Sequence, residues 1–445
     1  MAWVLPPRTF YPSSYPKVLV LLSPEYAEEL FGLIQVGVNQ QELLKKAQGE
    51  LLPLYQQLFV PLGIPRETLA QRIMDEVAAL YERYNALCES EYDRFEKNIK
   101  KELERMAKER NYPSGLDYYR HFRPQYYIRG LMTPPNKIWV VLNAIKPYTF
   151  LPRLDRQQQP IKSTGLTISE GVAKVMVEKL KRAEEIIRSK GWEDEIRQQV
   201  HSIIGFQPRE MAGAKNIPGQ LPKMSYHALG QAIDIDARDN PQLIGPLATA
   251  IDNILDWLDA QKQQQPPEGG QQTPGEKKSE PIRIHQFIQT FKKSKIEALK
   301  QLETDDKEAG ETLLLDAAQK LRTGMEQIEQ AIQGFINAWL EQWQASGGKA
   351  KEDDKERQTT QQAFDLLYQF LLARGVIPRD KKTGKGKLVK GDAGKIVLTP
   401  EQVEKAKHFP VISLPATLIV ALVEAGLRSG LEYRESKDVM HFESL

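Results

Sequence analysis

Along most of the chain, apolar residues recur at intervals of three and four, the period of helices that bury one face. Ser23-Pro24-Glu25 supplies a capping residue, a proline suited to the first helical position and an acid, so a helix is predicted to start there. Two further helical stretches are predicted over about 39–60 and 65–110. The second is opened by Pro65 and closed by Asn111-Tyr112-Pro113, and its apolar stripe runs through Ile73, Val77, Leu80, Tyr84 and Cys88 to Met106. The stripe departs from strict heptads, which favours packing inside a helical domain over an intermolecular coiled coil and makes Cys88 a core residue.

Residues 113–165 mix aromatics, basic residues and proline and read as a junction, with one buried strand expected at Lys137–Leu142. From Thr167 a helix is expected, ending near Gly191. The stretch 261–281 is Gln-, Pro- and Gly-rich and nearly free of apolar residues, so burial cannot offset its ordering entropy and it reads as a linker. Beyond it, Leu321, Met325, Ile328, Ile332, Phe335 and Trp339 form a near-heptad stripe. A helical hairpin of 283–303 and 309–345 would bury it, the alternative being docking to a partner protein. A second polar break covers 346–360. A helix follows over 361–376, then a basic hairpin over 379–395 whose glycines lack the phosphate-loop spacing, a helix near 414–428 and a strand-like close from Leu431 to Phe442.

The implied organisation is a helical N-terminal region (1–112), a junction (113–165), one domain in two halves (166–260 and 361–445), linkers at 261–282 and 346–360, and a helical insertion (283–345). The fold class is α+β, with a small antiparallel sheet and packed helices.

Composition narrows the chemistry. At 445 residues the chain suggests about two to four structural units. With 61 basic and 59 acidic side chains, its net charge of +2 gives no bulk reason to expect nucleic acid or an anionic membrane as partner. Cys88, the single cysteine, excludes an internal disulfide and a cysteine-based zinc site, so a metal would have to be held by carboxylates and some of the six histidines. The N-terminus lacks a basic segment followed by an apolar run, and no apolar stretch suits a membrane span. The expectation is a protein made in the cytoplasm without a signal peptide.

The richest local pattern is Ser225-Tyr226-His227-Ala228-Leu229-Gly230-Gln231-Ala232-Ile233-Asp234-Ile235-Asp236. A histidine precedes an aspartate by seven residues, Gly230 permits a turn between them, and the alternation after it would put Asp234 and Asp236 on one face of a strand. Imidazole nitrogen with carboxylate oxygen suits zinc, which needs three protein ligands in a catalytic site. The third is missing locally, and a candidate lies in Asp438-Val439-Met440-His441-Phe442-Glu443.

The two halves together, Ser-x-His-x-x-Gly-x-Ala-x-Asp and Asp-x-Met-His-Phe-Glu, resemble the zinc D-alanyl-D-alanine carboxypeptidase and L-alanyl-D-glutamate endopeptidase family, which includes vancomycin-resistance dipeptidases and phage endolysins. The resemblance implies that His227, Asp234 and His441 bind zinc and that Asp438 takes the place of the catalytic acidic residue. The metal would polarise the scissile carbonyl and acidify a water molecule, while Asp438 moves the proton to the leaving amine. Gly205-Phe206-Gln207-Pro208-Arg209 looks like the family segment carrying an arginine. Arg209 would then hold the substrate carbonyl or the developing oxyanion. Ser225 corresponds to the family serine beside the metal, a substrate contact or a support for a ligand. Glu443 and Asp236 are further candidates for orienting ligands, although a capping carboxylate is the commoner role for Asp236.

The resemblance covers about 165–260 and 361–445. Where family members often carry Trp-Gly-Gly before the final motif, this chain has Arg428-Ser429-Gly430, and Met211 to Met224 reads as a loop able to set specificity. The implied activity is hydrolysis of peptidoglycan stem peptides, with the enzyme reaching the cell wall after lysis or by non-classical export. From a different class, the helical additions suggest a structural or targeting component of a phage tail or contractile injection particle that carries a minor or inactive peptidase domain.

Overall fold

The structure, a computed structural model, describes residues 20–128, 137–210, 224–237, 240, 242–264, 283–304, 306–350, 356–378, 389–390, 396–408, 412–433 and 436–444. The expected loop as far as 223, most of the first expected linker (261–282) and most of the basic hairpin lie outside the described residues; of the second expected linker, 346–360, only 351–355 do, and Ser346 and 357–360 belong to helices. What is described is mostly helical with small antiparallel sheets, an α+β fold.

In chain order the first elements are α1 (Pro24–Gln35), α2 (Gln40–Phe59), α3 (Arg66–Asp93), α4 (Lys97–Arg110), α5 (Gly115–Ile128) and α6 (Ile138–Asn143). Ser23 caps α1 by accepting the Tyr26 N–H, as its sequence suggests. Next come β1 (Lys146–Phe150), β2 (Arg153–Leu154), β3 (Pro160–Ile161), β4 (Leu166–Val172), α7 (Lys174–Ser189), α8 (Glu193–Gln199), β5 (Ile203–Ile204), β6 (Ala232–Ile235), β7 (Gln242–Ile244) and α9 (Gly245–Gln264). The rest of the chain forms α10 (Ile284–Leu302), α11 (Lys307–Ser346), α12 (Arg357–Ala373), β8 (Val389–Lys390), β9 (Ile396–Val397), α13 (Pro400–Lys407), α14 (Ala416–Glu424), β10 (Arg428–Ser429), β11 (Ser436–Asp438) and β12 (His441–Glu443).

Three expectations fail for tertiary reasons. The stretch 65–110 is two helices rather than one. The backbone opens at Arg94–Glu96, where the Asn143 side chain donates to the Arg94 carbonyl (2.8 Å) and accepts the Glu96 N–H (2.9 Å), satisfying the groups released by the break. Lys137–Leu142 is not a strand, because α6 turns Ile138 and Leu142 inward one helical turn apart and leaves Val140 exposed. Finally, Leu166–Val172 is a strand that pairs with β1, and the helix starts only at Lys174. Asn98 donates to the carbonyls of both Ile145 and Glu170 (3.2 Å each), holding that backbone extended.

By proximity the chain divides into two compact units: Met1–Tyr148 with Ser169–Lys174 and Gly205–Gln231, and Thr149–Ile168 with Val175–Ile204 and Ala232–Leu445. The first unit has one hydrophobic core, running from Leu21 through the stripe of α3 and α4 to Phe206, Met224 and Ala228. Inside it Arg123 and Glu91 form a buried bidentate pair (2.7 and 3.2 Å), and the Tyr119 hydroxyl also donates to Glu91.

The second unit contains the four-stranded sheet β10-β12-β6-β5, antiparallel throughout. In the same unit α10 and α11 pack on each other as a helical hairpin close to that expected. The stripe of α11 is consumed within the unit: Leu321, Met325, Ile328, Ile332 and Phe335 are all buried. Trp257 of α9 lies edge-on to both Phe335 and Trp339, and Trp339 to Phe364 of α12. Among the described residues, no helix is long and apolar enough to cross a membrane.

Candidate metal centre

Asp234 and His441 are 207 residues apart in sequence, yet β6 and β12 pair in a register that sets them directly opposite one another. A one-residue slip would turn one of them to the other face, so the register itself selects the pair. Apolar Ile233 and Ile235 on β6 and Phe442 on β12 are completely buried and hold that register.

His227 is delivered differently. It lies in a 3-10 turn, Tyr226–Leu229, whose N-terminal cap is Ser225; the Ser225 hydroxyl accepts the His227 N–H (3.3 Å). Gly230 ends the turn in the left-handed region, with φ of 64°, and a Cβ there would stand 2.8 Å from the Ala173 nitrogen. Glycine is therefore required both by conformation and by close approach. Helix α5 supports this segment from below: Tyr126 donates to the Ala228 carbonyl (3.0 Å) and Tyr118 to the Pro208 carbonyl (2.6 Å).

The imidazole Nδ1 of His227 lies 2.7 Å from the Gly205 carbonyl oxygen. Since a carbonyl only accepts, Nδ1 carries the proton and Nε2 is the nitrogen with a lone pair to offer. His441 has Nδ1 2.9 Å from Asp234 Oδ1 and Nε2 3.3 Å from Glu443 Oε2. Ligand atoms from His227, Asp234 and His441 all lie within 4.8 Å of one another, and all three residues are buried. Two imidazoles and one carboxylate, converging in a buried place, are a donor set that can hold a metal ion and that suits zinc. Among the described residues this is the one such group.

The surroundings are electrostatically biased toward a cation. Burial opposes charge on His441, but its hydrogen bonds to Asp234 and Glu443, with the charge of Asp438 added, raise its pKa to about 9. Burial likewise opposes charge on Glu443, and hydrogen bonds from His441 and Tyr433 outweigh it and hold the carboxyl below its usual range. Burial, followed by the Glu443 carboxylate, keeps the Tyr433 phenol far above its ordinary pKa.

Asp438 is buried at the end of β11, opposite Gln242 of β7. Arg209 is half-buried, and its carbonyl accepts the Ser225 N–H (3.0 Å), so both lie beside the turn that carries His227. Asp236 does not share a strand face with Asp234. Strand β6 ends at Ile235, Asp236 takes a φ of 43°, and its carboxylate accepts the backbone N–H of His201 (3.0 Å) and Ser202 (2.6 Å). It is a capping carboxylate, the commoner of the two roles considered for it.

Three contributors carried no signal of their own in the sequence: the Gly205 carbonyl, Tyr433 and Arg428. Tyr433 donates to Glu443 Oε2 (2.6 Å), and Arg428 reaches Glu443 Oε1 (3.4 Å) while lying over the Tyr433 ring. Comparison with family models, with curated proteins and with solved structures finds no match to this chain.

Proposed function

We propose that this protein is a zinc-dependent peptidase that hydrolyses peptide bonds of peptidoglycan stem peptides, of the D-alanyl-D-alanine carboxypeptidase or L-alanyl-D-glutamate endopeptidase type. The observation that carries the reading is the convergence of His227, Asp234 and His441 from two distant motif halves into one buried group. Three protein ligands are the number a catalytic zinc uses while keeping one position open.

When bound, zinc would supply Lewis acidity, polarising the scissile carbonyl and making a water molecule acidic near neutral pH. The chain's own residues supply the rest. His227, with its proton held on Nδ1 by Gly205, offers Nε2. Asp438, three residues before His441, accepts the proton of the attacking water on its carboxylate and returns it to the amine nitrogen as the C–N bond breaks. Arg209, beside Ser225, pairs with the substrate carbonyl oxygen as negative charge develops on it.

The test is mass spectrometry of purified sacculi digested by the protein, with metal analysis of the same sample. About one zinc per chain and release of cleaved stem peptides are expected. Asp438→Asn should keep its zinc and lose activity by at least about 100-fold, and His441→Ala should lose both. A wild-type protein that neither takes up zinc nor cleaves muropeptides would sink the reading.

A further inference from the structure

We propose that Lys295 of α10 is a positioning residue for the strand that carries His441, which makes the inserted helical hairpin a working part of the site rather than a tether. This deepens the peptidase reading and rests on it for its consequence in activity.

Lys295 is only 8% exposed. A buried ammonium has lost its hydration and needs a charged partner. That partner is the Glu432 carboxylate. One turn earlier on the same helix, Lys292 donates to the Glu432 carbonyl (2.9 Å), so two lysines grip one residue by its side chain and its backbone.

Glu432 is well placed to pass that grip on. It closes the 3-10 turn Gly430–Glu432, and its Oε1 also accepts the Ser429 N–H (3.3 Å) in a capping box. Ser429 of β10 is registered opposite Phe442 of β12, the residue between His441 and Glu443. Gly430, in the same turn, is pressed against the site itself. A Cβ there would stand 2.5 Å from the Asp438 carbonyl oxygen and 3.0 Å from the His441 Cβ. Tyr433, immediately after Glu432, donates to Glu443 Oε2 (2.6 Å), the same oxygen that faces His441 Nε2. A shift of Glu432 is therefore transmitted at van der Waals contact to Asp438 and His441, and by hydrogen bond to Glu443. All of these contacts lie within one compact unit.

The experiment uses the full-length protein with Lys295→Met, which keeps the apolar stem, and Lys295→Arg, which keeps the charge. Three quantities are read: zinc affinity by competition with a chromophoric chelator, hydrogen exchange over 428–443, and the melting temperature of the metal-free protein. Lys295→Met should weaken zinc binding about 10-fold, the lower end for supporting residues around a metal. It should also speed exchange in 428–443 selectively, and Lys295→Arg should restore both. Wild-type affinity and exchange in Lys295→Met overturn the proposal. So does a loss spread evenly over α9–α12 with a lower melting temperature that arginine does not rescue, because that marks a general support of the fold. If the wild-type protein binds no zinc, the peptidase reading fails while exchange over 428–443 still decides the positioning role.

Discussion

Glu443 serves three partners at the candidate site. Its Oε2 accepts from the Tyr433 hydroxyl at 2.6 Å and faces His441 Nε2 at 3.3 Å, while its Oε1 meets Arg428 at 3.4 Å. Both ring nitrogens of His441 face carboxylate oxygens and so both carry protons; to bind a metal, Nδ1 must give up its proton beside Asp234 while Glu443 retains the Nε2–H tautomer. The substitution Glu443→Gln keeps the shape and removes the charge that fixes this tautomer. It should weaken zinc affinity about 10- to 100-fold, a drop that a chelator competition would detect; unchanged affinity would reject the role. Part of this was legible: Glu443 stands two residues from His441 on one strand, on the same face. Tyr433 and Arg428 were not, because a buried carboxylate recruits partners by proximity in space, and neither residue carries a spacing that announces it.

At the scale of elements, helices were read with most success where one face is apolar over many turns. The stripe of α11 is the clearest case, and Ile328 at its centre is completely buried. Ile328→Ala should cost about 2–5 kcal/mol of stability, visible as an earlier urea transition, since deleting buried methyl groups loses transfer energy and leaves a cavity. A cost below about 0.5 kcal/mol would mean that the hairpin is not packed as described. Two of the three misread stretches are settled by a distant asparagine. Asn143 satisfies the backbone at the break between α3 and α4, and Asn98 holds the carbonyls of Ile145 and Glu170. A run of five or six apolar residues suits either a strand or a turn of helix, and only its packing partners decide.

At the scale of the whole molecule, Cys88 offers a direct probe of the first unit. It is completely buried in the core, and burial pushes its thiol pKa up to about 11. At pH 8 only about one buried thiol in a thousand would be ionised. Native protein should therefore resist iodoacetamide, and labelling should appear together with unfolding in denaturant; fast labelling of the native protein contradicts this core. The amino-acid sequence by itself determined the helical faces, the absence of any thiol-based metal site and the residue types of both motif halves, because periodicity and local spacing are properties of neighbours along the chain. Only the tertiary structure decided that β6 and β12 pair with Asp234 opposite His441, that Asp236 turns away to cap 201–202, that the Gly205 carbonyl sets the His227 tautomer, and that Lys295 reaches Glu432. Those are contacts between remote segments, and they are fixed by strand register and by the need of each buried polar group for a partner, which no local pattern encodes.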